Sequence, residues 1–145
     1  MNLKLATISI SLVSIFISLT AMLIFFARAA EILPGPIQAY VVRVIDGDTI
    51  VVRASVWLNQ TVEESLRIDG MDTPESGERA KCEDERNSAR MATAALKAMA
   101  LGKDATLYRV RRDKYGRLLA SITVGGKDVA QTMIAAGHAR AYDGG

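Results

Sequence analysis

Three short segments combine acidic residues, arginine and glycine at close spacing. They are residues 45–49 (IDGDT), residues 67–75 (RIDGMDTPE) and residues 113–117 (DKYGR). Carboxylates are the oxygen ligands that hard cations prefer, and guanidinium groups bind phosphate through two parallel hydrogen bonds. These residue types suit cation-assisted chemistry on an anionic substrate, provided that the fold brings the segments together.

Each segment also has a purely structural explanation. Asp-Gly is a common turn pair, and residues 113–116 form an ordinary turn sequence with its glycine in place. Thr73, Pro74 and Glu75 would supply an N-cap, a first-turn proline and an acid that favours a helix N-terminus. Taken singly, none of the segments establishes a chemistry.

The segments lie between predicted strands. Strand-forming residues fill positions 37–53 around the Asp-Gly-Asp turn, which predicts two strands or one sharply bent strand. Residues 56–58 and 62–68 predict further strands around Asn59, and residues 105–110 and 118–124 predict a hairpin around the third segment. About five short strands of antiparallel character, without a long open edge, favour a small closed barrel of the oligonucleotide-binding type.

Two helices are predicted to pack on this barrel. Residues 75–101 are rich in alanine, methionine, leucine and charge, with Met91, Ala95 and Met99 at a spacing of four and Gly102 as a stop. Residues 129–136 predict a short closing helix. The expected fold class is therefore α+β, mostly β: a five-stranded barrel with one long and one short helix.

The first thirty residues differ from the rest of the chain. Residues 5–27 contain no charged side chain, with Lys4 before them and Arg28 after them. Residues 27–29 resemble an A-x-A cleavage site, yet the uncharged run is long enough to span a bilayer. We expect residues 1–30 to be a signal peptide or an N-terminal membrane anchor, residues 31–36 a linker, and residues 37–145 the folded domain of an exported or membrane-tethered protein.

The folded domain has no excess of positive charge. The net charge of the chain is +2, and Lys4 and Arg28 of the leader account for it. A polyanionic partner must therefore bind a local patch. The candidate patch contains Arg109, Arg111, Arg112, Lys114 and Arg117, and the alternative is a solvated strand face.

Together, and in this order, the three segments resemble the staphylococcal nuclease family. The resemblance extends from about Tyr40 to Gly137, nearly the whole folded part. It implies a five-stranded oligonucleotide-binding-type barrel with helices packed on it, in agreement with the pattern of elements. It also implies a nuclease that hydrolyses phosphodiester bonds of DNA and RNA, preferably single-stranded, with little sequence specificity.

The resemblance implies a Ca²⁺ site as cofactor. Asp48 and Asp72 match the two calcium-binding aspartates of the family, and the backbone carbonyl of Thr73 adds a third oxygen. Two carboxylates and a carbonyl, completed by water and a substrate phosphate, suit a cation that takes six to eight oxygen ligands. The sequence offers no cluster of histidine and cysteine that would favour zinc.

Three catalytic roles also follow from the resemblance. Arg67 and Arg117 match the two arginines that stabilise the transition state, where planar guanidinium groups hold the extra negative charge. Glu75 matches the proposed general base or water-positioning residue. The structural alternative for Glu75 is that it only caps the following helix.

The expected substrate contacts are Lys114, Tyr115 and, less directly, Tyr142, which lies one position earlier than the family pattern after Gly137. His138 is assigned no catalytic role. No obligate protein partner is inferred, and a membrane is a partner only if the leader remains attached. The competing hypothesis is a catalytically inactive member that binds nucleic acid or protein.

Overall fold

Three consecutive strands form the first half of the sheet in the computed structural model, which describes residues 31–76 and 80–143. Strands β1 (Ile37–Val44), β2 (Thr49–Trp57) and β3 (Gln60–Ile68) pair in antiparallel order. Asn59, in the turn between β2 and β3, has a φ of 57°, a left-handed conformation that asparagine tolerates. The strands predicted around the Asp-Gly-Asp turn and around Asn59 are confirmed.

Later strands close the sheet into a barrel. After the two-residue β4 (Met71–Asp72), β5 (Asp104–Arg112) pairs antiparallel with β1 and with β6 (Leu118–Val124). Strand β6 also pairs with β3, in parallel, so five strands follow one another around the barrel as β1-β2-β3-β6-β5. The predicted five-stranded barrel is confirmed. The expected antiparallel character holds for the other pairs of the barrel but not for its closure, because a helix-containing connection joins β3 to β6 and permits a parallel pair.

Two short strand pairs connect the segments around the last helix to the strands before it. Strand β7 (Lys127–Asp128) folds back on β6, and β8 (Arg140–Ala141) pairs antiparallel with β4. In that second pairing Asp72 lies opposite Arg140. Because β8 follows the last helix, this contact brings the end of the described chain to the segment that contains Asp72.

Two helices flank the barrel, as predicted, but the long one begins later than expected. Helix α1 (Glu83–Ala100) follows Cys82, which makes no side-chain cap. Helix α2 (Val129–Ala135) begins at Asp128, whose carboxylate accepts the Gln131 N–H at 2.8 Å. The predicted start of α1 at residue 75 is wrong; three consecutive acids, residues 83–85, occupy its first turn, where they interact favourably with the helix dipole.

The buried face of α1 also differs from the predicted one. Met91 is 61% exposed, whereas the residues buried against the barrel are Ala89, Ala92, Leu96 and Ala100. Three of these four are alanine, so the helix axis can approach the barrel closely. Of the predicted face, Ala95 and Met99 are partly buried and pack against the core, whereas Met91 lies in solvent.

The predicted leader, residues 1–30, lies outside the described residues. Within residues 31–76 and 80–143, no helix has both the length and the apolar character needed to cross a membrane. Part of the predicted linker packs on the barrel, since Leu33 forms a β-bridge with Val110.

A partly buried ion pair fixes the turn after β3. Arg111, on β5, donates two hydrogen bonds to the Asp69 carboxylate, at 2.8 and 2.9 Å, and the Asp69 N–H donates to the carbonyl of Ala120 at 2.9 Å. The Arg111 hydrogen bonds hold the pKa of Asp69 below its ordinary value of 3.8. This pair stabilises the segment that leads from Arg67 to Asp72.

We expect Asp69→Asn to lower the free energy of unfolding by about 1 to 2 kcal/mol at neutral pH, since it removes a charge-assisted bidentate contact. Because the folded-state pKa is lowered, this contribution is complete above pH 3.8 and disappears as the pH falls through the folded value. Urea unfolding at pH 7 and pH 3 measures both effects. Asp104→Asn, at an exposed position of β5, is the control, and equal stability of both variants at pH 7 would exclude the stabilising role.

Candidate active site

The loop between β1 and β2 carries a buried carboxylate. Asp48 is 4% exposed, and its Oδ1 accepts a hydrogen bond from the Thr49 hydroxyl at 2.9 Å. Its N–H donates to Asp46 Oδ1 at 3.1 Å, and its carbonyl accepts the Ile68 N–H at 2.8 Å. Burial raises the pKa of Asp48, and the charge of Arg67 opposes this rise only in part. An ionised Asp48 therefore calls for compensating positive charge nearby.

One guanidinium group joins this carboxylate to a second one. Arg67, on β3, places Nη1 at 2.8 Å from Asp48 Oδ2 and Nη2 at 2.7 Å from Asp72 Oδ1. The Arg67 side chain is only 18% exposed, so water screens these contacts less than it screens surface pairs. Because both carboxylates contact the same guanidinium, they converge on one point between the β1–β2 loop and β4.

A close backbone approach connects the first segment to the second. A Cβ added to Gly47 would lie 2.7 Å from Thr73 Oγ1 and 3.0 Å from the Cβ of Ala92 on α1. Thr73 itself is buried. Glycine at position 47 therefore lets the Asp46–Asp48 loop pack directly on Thr73 and on the helix.

A single cleft of about 410 Å³ collects the residues to which the sequence assigns catalytic or metal-binding roles, namely Asp48, Arg67, Asp72, Thr73, Glu75 and Arg117. Tyr142 also lines this cleft. The cleft thus combines the side chains of all three segments, which are far apart in the sequence.

Glu75 reaches the cleft from a non-helical segment. It lies eight positions before the first residue of α1, so it is not in the first turn of that helix. The alternative that Glu75 only caps the helix is therefore wrong. Glu75 lines the cleft together with Pro74 and Ser76.

The third segment is organised by Asp113. Its Oδ1 accepts the backbone N–H groups of Tyr115 and Arg117 at 2.8 and 2.9 Å, and its Oδ2 accepts Arg117 Nε at 2.7 Å. The Tyr115 ring is exposed, with Lys114 Nζ at 5.3 Å and Arg117 Cζ at 5.4 Å from its centroid. Asp113 therefore orients Arg117 through Nε and leaves its terminal amino groups as further donors.

A second cleft of about 240 Å³ adjoins the first and contains the predicted substrate contacts. It is lined by Lys114 and Tyr115, and it shares Arg67, Arg117 and Tyr142 with the larger cleft. The predicted basic patch is divided: Arg111 holds Asp69, and Arg112 Nη1 donates to the Gly116 carbonyl at 2.8 Å. Arg111, Lys114 and Arg117 line the clefts, but Arg111 is already paired with Asp69.

Arg140 is a member of the larger cleft that sequence reasoning missed. Its Nε and Nη2 donate to Asp72 Oδ2 at 3.0 and 2.6 Å, so Asp72 contacts two guanidinium groups. The signal in the sequence was weak, because only the β4–β8 pairing brings Arg140 to Asp72. His138, two residues earlier, lines a separate cleft together with Glu75, Glu85 and Arg140.

The chemistry of the donors fits a hard cation. The two convergent carboxylates and the Thr73 segment offer oxygen atoms only, and the buried Asp48 requires positive charge. In residues 31–76 and 80–143, no group of three or more histidine, cysteine, aspartate or glutamate side chains is placed to hold a metal ion. A cation held here would take its remaining ligands from water and substrate.

Comparison with known proteins gives two findings. The family model described as "Staphylococcal nuclease homologue" matches residues 65–144, a range that includes every predicted site residue except Asp48. Two proteins named "Uncharacterized endonuclease", from Escherichia coli O157:H7 and Escherichia coli, are each 33% identical over 122 residues. Each match covers 83% of this chain and 71% of the relative.

The close approach at Gly47 generates a prediction. We expect Gly47→Ala to lower the free energy of unfolding by about 1 to 3 kcal/mol, because the added methyl group must displace Thr73 or α1. Urea unfolding measures the loss, and the NMR shift of the Thr73 amide reports the displacement. The control is Gly126→Ala, which is strained by its φ of 76° but has nothing within 4 Å of the added Cβ. An unchanged Thr73 amide in Gly47→Ala would contradict the steric explanation.

Proposed function

Because the chain belongs to the staphylococcal nuclease homologue family, we propose that it is a calcium-dependent nuclease that hydrolyses DNA and RNA with little sequence preference. The observation that carries this proposal is the cleft in which two convergent carboxylates, Glu75 and two arginines meet. The name of its relatives, endonuclease, supports the same reaction class.

Asp48, Asp72 and the backbone carbonyl of Thr73 hold the calcium ion in the proposed site. When bound, the ion supplies positive charge that stabilises the phosphate oxygens as negative charge accumulates. The protein contributes the position: Asp48 is fixed by Thr49 and Asp46, and Asp72 is fixed by the pairing of β4 with β8. Water and a substrate phosphate oxygen would supply the remaining oxygen ligands of the ion.

The two arginines stabilise the transition state. During attack, phosphorus becomes five-coordinate and its equatorial oxygens gain negative charge, which planar guanidinium donors hold better than a point charge. Arg67 is oriented by Asp48 and Asp72, and Arg117 by Asp113. Since these contacts exist before the substrate binds, the donors need little reorganisation during the reaction.

Glu75 accepts a proton from the attacking water, or positions that water. The oxygen of the water forms the new bond to phosphorus, and its proton passes to the carboxylate. The phosphorus–oxygen bond to the leaving group breaks, its electron pair stays on the leaving oxygen, and that oxygen takes a proton from solvent water. The position of Glu75 in the cleft wall, outside the first turn of α1, supports this role.

Sequence specificity is expected to be low because the proposed contacts are to backbone phosphates and to the faces of the bases, and not to base edges. Lys114 suits a backbone phosphate, and the exposed Tyr115 ring offers a stacking surface for any base. Tyr142 lines both clefts and is the second candidate for such a contact. Stacking on Tyr115 requires an unpaired base, which favours single-stranded DNA and RNA.

The decisive experiment is hydrolysis of single-stranded DNA and RNA by the full chain with calcium, with magnesium in its place, and with a chelator. We expect calcium-dependent cleavage that falls at least about 100-fold in Glu75→Ser, because a positioned general base contributes about that much or more. The matched control is Glu64→Ser, an exposed position on β3 outside the cleft, which should retain full activity.

In the same assay, Arg67→Lys and Arg117→Lys are expected to be nearly inactive, since lysine keeps the charge but loses the planar pair of donors. Turnover retained in either variant would remove that arginine from the mechanism. A folded protein that binds DNA without cutting it under any of these conditions would support the inactive binding module instead.

We also propose that the nuclease acts outside the cytoplasm, released after cleavage of residues 1–30 or tethered by them. The uncharged run of residues 5–27 motivates this proposal. Mass spectrometry of the mature protein tests it: an N-terminus near Ala30 is expected after release, and Met1 retained in the membrane fraction after tethering. An intact N-terminus in the soluble cytoplasmic fraction would contradict both.

A further inference from the structure

Arg140 occupies an unusual position in the larger cleft. Its backbone lies opposite Asp72 in the β4–β8 pair, and its guanidinium donates two hydrogen bonds to Asp72 Oδ2, at 3.0 and 2.6 Å. The other oxygen of the same carboxylate accepts from Arg67 at 2.7 Å. A single negative charge thus holds two positive side chains.

The two arginines differ in how firmly they are held. Arg67 is 18% exposed and is also bound by Asp48, whereas the Arg140 side chain is 80% exposed. An exposed ion pair is weak, because water screens it and ordering a long side chain costs entropy. If Asp72 ligates a cation, Arg140 is therefore the guanidinium that leaves first.

We propose that Arg140 and a bound cation compete for Asp72, and that Arg140, once released, binds a phosphate of the nucleic-acid strand at the mouth of the cleft. This inference rests on the proposed function. A cation on Asp72 cancels the attraction that holds Arg140 and adds like charge beside it. A phosphodiester offers the guanidinium a new anionic partner with two oxygens.

The position of Arg140 suits such a contact. It lines the larger cleft together with Arg67 and Arg117. It also lines the separate cleft that contains His138, where it lies with Pro74 and Glu75. The two clefts share Pro74 and Glu75, so a strand that leaves the first cleft on that side would pass Arg140. Among the residues that the structure describes, Arg140 is the arginine that lines both clefts at Glu75, which suits a substrate-binding residue controlled by cation occupancy.

The first arm of the test measures calcium binding to the full chain without substrate, by isothermal titration calorimetry. We expect Arg140→Gln to bind calcium about three- to fivefold more tightly than the wild type, the range for loss of one exposed competing ion pair. Arg53→Gln is the matched control, since it removes an exposed arginine that pairs with Glu63 at 3.1 Å on the β2–β3 hairpin. It should leave calcium affinity unchanged.

The second arm measures binding of a phosphorothioate single-stranded oligonucleotide by fluorescence anisotropy at several salt concentrations. With calcium, Arg140→Gln should bind about three- to tenfold more weakly, and the slope of log affinity against log salt should fall by about 0.7, the value for one lost phosphate contact. With a chelator, wild type and variant should bind alike, because Asp72 still holds Arg140.

The outcomes separate the two proposals. If the wild type binds calcium and the oligonucleotide, but Arg140→Gln changes neither affinity, only the role of Arg140 is overturned. If the wild type binds neither ligand, the proposed function is lost with it. Should Arg140→Gln fail to fold, Arg140→Lys replaces it: retained charge predicts near-wild-type calcium affinity and salt slope, and a reduced slope would overturn the proposal.

Discussion

The contact of Arg67 with Asp48 and Asp72 is the interaction on which the site depends. The two carboxylates come from different elements, the β1–β2 loop and β4, and their charges would repel each other without a cation between them. Arg67 supplies that charge from β3, at 2.8 and 2.7 Å. Its low exposure keeps the interaction strong, so the cleft is assembled before any ligand enters.

The closure of the barrel determines where this arginine lies. The parallel pair of β3 with β6 sets Arg67 opposite Leu119, two residues after Arg117. The two arginines are therefore neighbours at one end of the closure, although fifty positions separate them in the chain. The Asp69–Arg111 pair stabilises the adjacent turn. The segment from Arg67 to Asp72 is therefore stabilised both by the β3–β6 pairing and by this ion pair. The barrel is thus the means by which three distant segments form one cleft.

The sequence predicted those parts of the structure that local patterns determine. Strand alternation, the Asp-Gly turn and the Gly102 stop each depend on a few neighbouring residues, and the three segments met in one cleft. The start of α1 was wrong because an N-cap pattern at Thr73 competed with the acids at residues 83–85. Long-range pairs cannot be predicted from local patterns. The spacing of the basic residues places Arg111 in a patch although it binds Asp69, and only the β4–β8 register places Arg140 at Asp72.

The charge of the cleft explains why a cation and a phosphate should bind together. Its lining, counted over the described part of the chain, contains four carboxylates, those of Asp46, Asp48, Asp72 and Glu75, and three arginines, Arg67, Arg117 and Arg140. With all of them ionised the cleft is negative and repels a phosphodiester. A divalent cation reverses the sign, and one phosphodiester charge then restores neutrality, so each ligand favours the other. This coupling belongs to the set of side chains as a whole and requires no change in the barrel.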